Sequence, residues 1–345
     1  MHSRYSELQN LQILRAIAST SVVYWHVESV PRFGWFGVDI FFVLSGFVMA
    51  LVVANGQTTR NFVISRMSRI VPLYWLLTSS RLALNVLAPA LLSSPSANVS
   101  DYLKSILFIP YFRGNGVFQP ILAVGWSLNY EMFFYLCIAL SVFASRKRYF
   151  FLTSALILFS YICFGKGLHN DVANTFFGRA IIFEFLLGMI AFKVWQRKYL
   201  DHRPKHFFVA TGLLAFVFMA TVQSLGFDAN RFLLFGIPSL LLVLSAVRLE
   251  GQFSSVSDRL RTHLASIGDA SYATYLSHLY VVGGIRRILL SRFKLVNAHG
   301  PLSIIFILVV SLSVGQILYR FVDNPLRILL KRELSRHGLL SPAVR

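Results

Sequence analysis

Arg15 and His26 lie in the first apolar stretch of the chain, with ten residues between them. On an α-helix, eleven steps of 100° return a side chain to within about 20° of its starting direction, about 16 Å further along the axis. Both side chains therefore share one face, with the cation nearer the start of the helix and the imidazole deeper. Ionisable groups inside a bilayer-spanning helix are costly and normally face a bundle interior or a water-filled cavity. A guanidinium and an imidazole on one wall describe a cavity with a proton-handling group at its far end. Taken singly, the arginine reads as a snorkelling cation and the histidine as a bond to a neighbouring helix. Their shared face is what points to chemistry.

Six further positions bear on the same chemistry. Asp39 follows Gly34-Trp35-Phe36-Gly37-Val38 at the outer end of the second apolar stretch, at a depth comparable to His26. A carboxylate there can orient the imidazole and stabilise its protonated form, or serve as a helix cap. Gly37 and Gly46 on the same stretch read as close-packing positions, not as phosphate binders. After it come Arg66 and Arg69, which on a helical turn are neighbours and can grip one anion; ordinary juxtamembrane charge is the plainer reading. Glu131 follows Trp126-Ser127-Leu128 near the middle of the fourth stretch. It can serve as general acid or base, hold substrate, or pair with Arg15, Arg81 or Arg179. Glu184 raises the same question. His278, set among aromatic residues, reads by default as a packed, satisfied histidine.

The elements that must hold these residues are membrane helices. Hydrophobic residues make up 56% of the chain and charged ones 14%, against about a quarter charged in soluble domains. Ten spans can be drawn, at about 11–30, 34–54, 70–90, 120–143, 149–165, 175–195, 206–225, 231–247, 271–290 and 302–322. The expected fold is an all-α polytopic bundle in a single domain over 1–345, with a helical core from about 9 to 325 and a cytoplasmic tail. The net charge of +19 is unevenly shared between the connections: 20 basic residues fall on the side of the termini and 7 on the other. The positive-inside rule then places both termini in the cytoplasm. The charge reports topology and excludes a nucleic-acid partner. Cys137 and Cys163 fall inside spans, so no disulfide framework is implied, and the first stretch reads as a retained helix. In the longest outer connection Ser93–Ser96 reads as turn and 101–112 as an interfacial segment. The polar connection 248–270 reads as a solvated linker.

Several of these pieces together resemble one family. The Arg15-x10-His26 pair, GVDIFFVLSGF beginning at Gly37, Arg66-x-x-Arg69 with Pro72, Trp126-Ser127-Leu128 leading to Glu131, and Ser271-Tyr272 leading to His278 occur in that order. The chain resembles the membrane acyltransferase 3 family, especially its short exopolysaccharide-production members, from about residue 9 to Pro325. At Val322-Asp323-Asn324-Pro325 it departs from the usual acidic-residue-Pro pairing. No periplasmic hydrolase-like domain of the kind many relatives carry is expected. The resemblance implies a multi-pass inner-membrane O-acyltransferase that takes an acyl group, acetyl by default, from cytoplasmic acyl-CoA to a hydroxyl of a glycan, lipid-linked or free.

Carried over, His26 is the catalytic candidate with Asp39 or Glu131 beside it, Arg15 positions the donor, and Arg66 with Arg69 anchors coenzyme A. Trp126 and His278 are additional candidates. Acyl-CoA is expected as co-substrate, with no metal and no tightly bound cofactor. Expected partners are the bilayer, the glycan acceptor and proteins of glycan biosynthesis. His26 can act as general base for direct transfer, the simpler route, or be acylated itself. A transporter of a sugar or anionic metabolite, using Arg15, Glu131, Glu184 and His278, is the rival reading, but it should show repeat symmetry, and none is seen. A lipid-linked glycan polymerase or ligase is the third.

Overall fold

The computed structural model describes residues 8–27, 31–88, 98–114, 116–166, 171–227, 230–252, 258–292 and 300–339. Their regular structure is helical: α1 (Gln9–His26), α2 (Gly37–Ala54), α3 (Thr59–Leu87), α4 (Val99–Ile106), α5 (Gly125–Ser145), α6 (Tyr149–Cys163) and α7 (Asp171–Phe177), followed by α8 (Glu184–Gln196), α9 (Lys205–Ser224), α10 (Ile237–Arg248), α11 (Asp258–Asp269), α12 (Ser271–Arg292), α13 (Pro301–Leu318) and α14 (Asn324–Arg336). In a bilayer every backbone polar group must be bonded within the protein, and helices achieve this one span at a time. Within the described residues each of the ten stretches overlaps a helix, although 120–124 is turn ahead of α5. By length and apolarity five helical segments are able to cross a membrane, or six if the bent pair Asp171–Phe177 and Ala180–Gln196 is one span. That number is smaller partly because α5 and α6 run on through a short 3-10 turn at Arg146–Arg148 and count as one stretch.

Large apolar side chains are exposed on many helices, among them Phe143 (81%), Phe151 (71%) and Leu302 (83%). On a soluble protein such area would mark an interface; spread over several helices it suits contact with hydrocarbon. The short helix α4 has the same inverted character. It buries Asp101 and Ser105 while leaving Leu103 and Leu107 exposed.

The chain divides into two compact units, residues 1–50 with 183–320 and residues 51–182 with 321–345. In the first, α1 lies along α11, α9 along α10 and α12 along α13. The connection 248–270 is therefore more than a solvated linker. It carries α11, whose Gly268 comes so close to the Gln12 backbone of α1 that a Cβ there would collide with it. Glu250, at the end of α10, accepts from the Asn10 N–H at 2.9 Å and from Arg261 at 3.2 Å, tying the same region to the start of α1.

Helices α2 and α8 meet through two glycines. A Cβ on Gly46 would run into the Phe185 carbonyl, and one on Gly188 into the Val43 carbonyl. Gly37 is pressed against Ala18 and Val22 of α1 in the same way. Small residues allow such backbone approach where no hydrophobic driving force exists between helices. Gly46→Val is expected to destabilise the fold by about 1–3 kcal/mol or more, as overpacking does. Thermal unfolding in detergent would show it, and an unchanged midpoint would mean that the two helices separate without cost.

In the second unit α3 is the longest element, begins at the Thr58 cap and contains Pro72. α5, α4 and α14 pack against it, and α6 packs on α5. α4 opens with an Asn98–Asp101 capping box. It is tied to the middle of α3 by hydrogen bonds from Tyr74 to the Ser105 carbonyl (3.1 Å) and from Trp75 to the Ile106 carbonyl (2.8 Å). The segment expected to lie in the interface is thus docked on a helix. Ser93–Ser96 lies outside the described residues.

Candidate active site

In the first unit α1 and α12 bring two imidazoles together. His26 is the last residue of α1 and half-buried; His278, about two turns into α12, is fully enclosed. Nε2 of His278 lies 3.2 Å from Nδ1 of His26, and the ring centroids are 4.8 Å apart. Two backbone carbonyls settle the tautomers. Nδ1 of His278 is 2.7 Å from the Tyr275 carbonyl, and Nδ1 of His26 is 2.9 Å from the Val22 carbonyl. A carbonyl only accepts, so both Nδ1 atoms carry hydrogen. Nε2 of His278 is then a lone pair facing the N–H of His26, which it shares with Val22. In its neutral form His26 then carries its lone pair on Nε2, the form a general base requires.

The pair is held from behind. Arg286, on α12, donates to the Val27 carbonyl at 2.5 Å and fixes the end of α1. Val23, Val27, Val282 and Ile307 pack into one buried cluster below it. Arg15, eleven residues before His26 on α1, is half-buried and donates to Gln12 at 3.5 Å.

Asp39 occupies a different arrangement in the same unit. Its carboxylate is fully buried and gripped bidentately by Arg231, Nε to Oδ1 at 2.8 Å and Nη2 to Oδ2 at 2.7 Å. The Arg231 guanidinium also lies 4.2 Å from the Trp35 ring centroid. Glu184 interacts electrostatically with both members of the pair, and no protein donor among the described residues reaches either of its oxygens. His278 lies against the His26 ring, while both Asp39 oxygens are engaged by Arg231. In the sequence Arg231 read as a charge in an outer connection. Its place at the edge of a span, opposite a carboxylate within another, was the available signal.

Breaking a buried ion pair from one side leaves an uncompensated charge and costs about 3–5 kcal/mol. Asp39→Ala and Arg231→Leu are each expected to destabilise on that scale. The double variant should lose less than the sum. Additive losses in a thermal-unfolding cycle would show that the pair contributes nothing beyond its separate members.

In the second unit Glu131, Arg66 and Arg69 come together. Tyr135 donates to Oε1 of Glu131 at 2.5 Å, and Arg66 interacts with Tyr135, Glu131 and Arg69. Glu131 therefore groups with Arg66 through Tyr135, a pairing the sequence reading did not offer, in place of the position beside His26 expected for it. α14 adds cations the sequence reading did not use: Lys331 interacts with Arg66, Arg69 and Arg327. Asp323, buried just before Asn324-Pro325, faces Arg327 and Arg69. Four cations and two carboxylates thus gather where α3, α5 and α14 meet. Trp126 packs edge-on against Tyr130, whose ring stacks on Phe176 and whose hydroxyl donates to the Phe176 carbonyl at 3.0 Å. Among the described residues no group of three His, Cys, Asp or Glu side chains is placed to hold a metal.

The acyltransferase 3 family model, described as an acyltransferase domain, matches residues 8–320. The exopolysaccharide production protein ExoZ of Rhizobium meliloti (strain 1021) is 30% identical over 294 residues, 84% of this chain and 88% of that protein. A protein named "Putative peptidoglycan O-acetyltransferase YrhL" in Bacillus subtilis (strain 168) is 27% identical, over 97% of this chain and 57% of its own length. One named "Putative O-acetyltransferase SACOL0978" in Staphylococcus aureus (strain COL) is 24% identical, over 93% and 57%. The chain thus spans little more than half the length of these last two. No solved structure matches it.

Proposed function

This chain belongs to the acyltransferase 3 family, and on that premise we propose that it is a multi-pass enzyme of the bacterial inner membrane with ten crossings and cytoplasmic termini. It moves an acyl group, acetyl first, from cytoplasmic acyl-CoA to a hydroxyl of a cell-envelope or exported glycan. The observation that carries this reading is the His26–His278 pair. With Nδ1–H directed at the Val22 carbonyl and His278, the neutral ring of half-buried His26 has its lone pair on Nε2, the atom with which an imidazole takes a proton from an alcohol.

The step balances as follows. Nε2 of His26 takes the acceptor hydroxyl proton as that oxygen bonds to the thioester carbonyl carbon. The tetrahedral adduct collapses, the carbon–sulfur bond breaks, and the departing thiolate takes the proton back from His26. During this cycle Nδ1–H of His26 stays directed at the Val22 carbonyl and Nε2 of His278, so the ring keeps its orientation. His278 is a positioning residue, in the place a carboxylate holds in a Ser-His-Asp triad. Arg15 is the donor-positioning cation on the same helix. In the second unit Arg66 and Arg69, joined by Arg327 and Lys331, anchor the phosphates of coenzyme A, and the Glu131–Tyr135 pair holds Arg66 in its rotamer.

The test is incorporation of labelled acetyl from acetyl-CoA into the glycan fraction of membranes that contain the protein. Label in the glycan that depends on His26 supports the reading. If neither acetyl-CoA nor longer acyl donors give incorporation or saturable binding, the chain is better understood as a transporter.

A further inference from the structure

A polar cavity lies in the first unit, remote in sequence from His26 and His278, where the end of α10 meets the start of α9. It has a volume of about 350 Å³ and is lined by Arg203, Lys205 and Arg248 with Asp201, Leu200 and Phe208. Three cations face one carboxylate, and that carboxylate is already bonded to Nη1 of Arg248. The other edge of the same guanidinium, Nε with Nη2, is buried and has no acceptor among the described residues. That edge is the fork with which arginine grips a phosphate bidentately. A buried donor without a partner is expensive, and two on one fork match the paired oxygens of a phosphate. The positive end of α9 opens at the same point, beginning with Lys205.

What lies below the pocket selects among anions. α9 is an apolar helix long enough to cross a bilayer. Phe207, Leu214, Val217 and Phe218 are exposed along it; the spacing of seven, three and one keeps them on one side of the helix. Lys205 and Phe208 line the pocket from the other side of α9, and Arg203, also in its lining, lies 5.5 Å over the Phe207 ring, linking the pocket to this strip. An anion site so joined matches a molecule with a phosphate and hydrocarbon tails. We infer that the pocket holds the headgroup phosphate of an anionic membrane phospholipid, with its acyl chains laid along the exposed face of α9. The site is independent of the acyltransferase chemistry and would stand if that reading failed.

The experiment is lipid retention and thermal unfolding of the full chain in phosphatidylcholine nanodiscs, with and without phosphatidylglycerol. The wild type is expected to retain phosphatidylglycerol preferentially and to unfold about 2–4 °C higher in its presence. Arg203→Gln/Lys205→Gln leaves the Arg248–Asp201 bond in place. At about 1 kcal/mol for each basic residue near an anionic surface, it should weaken retention by about 30-fold. Lys205→Gln alone should weaken it about fivefold, with an unchanged midpoint in pure phosphatidylcholine. No preference in the wild type, or an equal preference in the variants, would overturn the site. The same stabilisation by inorganic phosphate in phosphatidylcholine would overturn the lipid and assign the pocket to a soluble anion.

Discussion

With alanine in place of His26, acyl transfer is expected to fall by about 10²–10⁴-fold, the loss that accompanies removal of a general base. Membrane insertion should be unaffected, because His26 is half-buried at the end of α1 and is not part of the apolar cluster that holds α1, α12 and α13. Wild-type turnover in His26→Ala would remove this residue from the mechanism. His278→Ala should lower turnover by a smaller factor, since it acts through His26. His278→Gln should recover part of the loss, because an amide oxygen can accept the Nδ1–H that the imidazole accepts now. A merely structural His278 would give no such rescue, and both variants would then follow the unfolding midpoint. Rapid quenching of the wild type with labelled donor separates the two chemical routes. Label on the protein that depends on His26 indicates acylation of the ring before transfer; its absence during steady turnover indicates direct attack by the acceptor.

The helical class and the approximate position of each apolar segment were legible in the sequence because both follow from local composition. Long runs of Phe, Leu, Ile and Val cannot stay in water and cannot leave backbone groups unpaired in lipid. The shared face of Arg15 and His26 was legible for the same reason, since it depends only on helical period. What joins helices distant in sequence was not. His278 read as a packing residue because its partner is 252 positions away and an imidazole among aromatics has no local mark of function. Asp39 read as a partner for His26 because depth was the only coordinate available. Arg231, whose guanidinium grips it, is 192 residues further on and read as loop charge. Glu131 was left with several candidate arginines, and the structure groups it with Arg66 through Tyr135, one helical turn along α5. Lys331 and Arg327 were counted as topology-setting charge. Juxtamembrane cations look alike in a sequence, and only packing of α14 on α3 separates these from the rest.

The second large effect concerns that cluster. Arg66→Ala with Arg69→Ala is expected to raise the KM for acetyl-CoA by about 10²-fold or more, from charge-assisted hydrogen bonds worth about 1.5–3 kcal/mol each. The nucleotide end of the donor does not react, so contacts with it are equally strong in the ground and transition states. Losing them should leave kcat nearly unchanged. This split separates the arginines from His26, whose loss appears in kcat. Structure adds a gradation that the sequence did not contain. Arg66 is held by Tyr135 and through it by Glu131, so Tyr135→Phe should move KM in the same direction by a smaller factor. Lys331 faces both arginines without such a brace, and Lys331→Gln should weaken the donor while leaving Arg66 in place. Donors truncated to acetyl-pantetheine carry no phosphate for these side chains. The wild type should bind them poorly, and the double variant should bind them no worse than the wild type does. If the double variant instead lost affinity for acetyl-pantetheine and acetyl-CoA alike, the arginines would be shaping the second unit and the phosphate anchor would lie elsewhere.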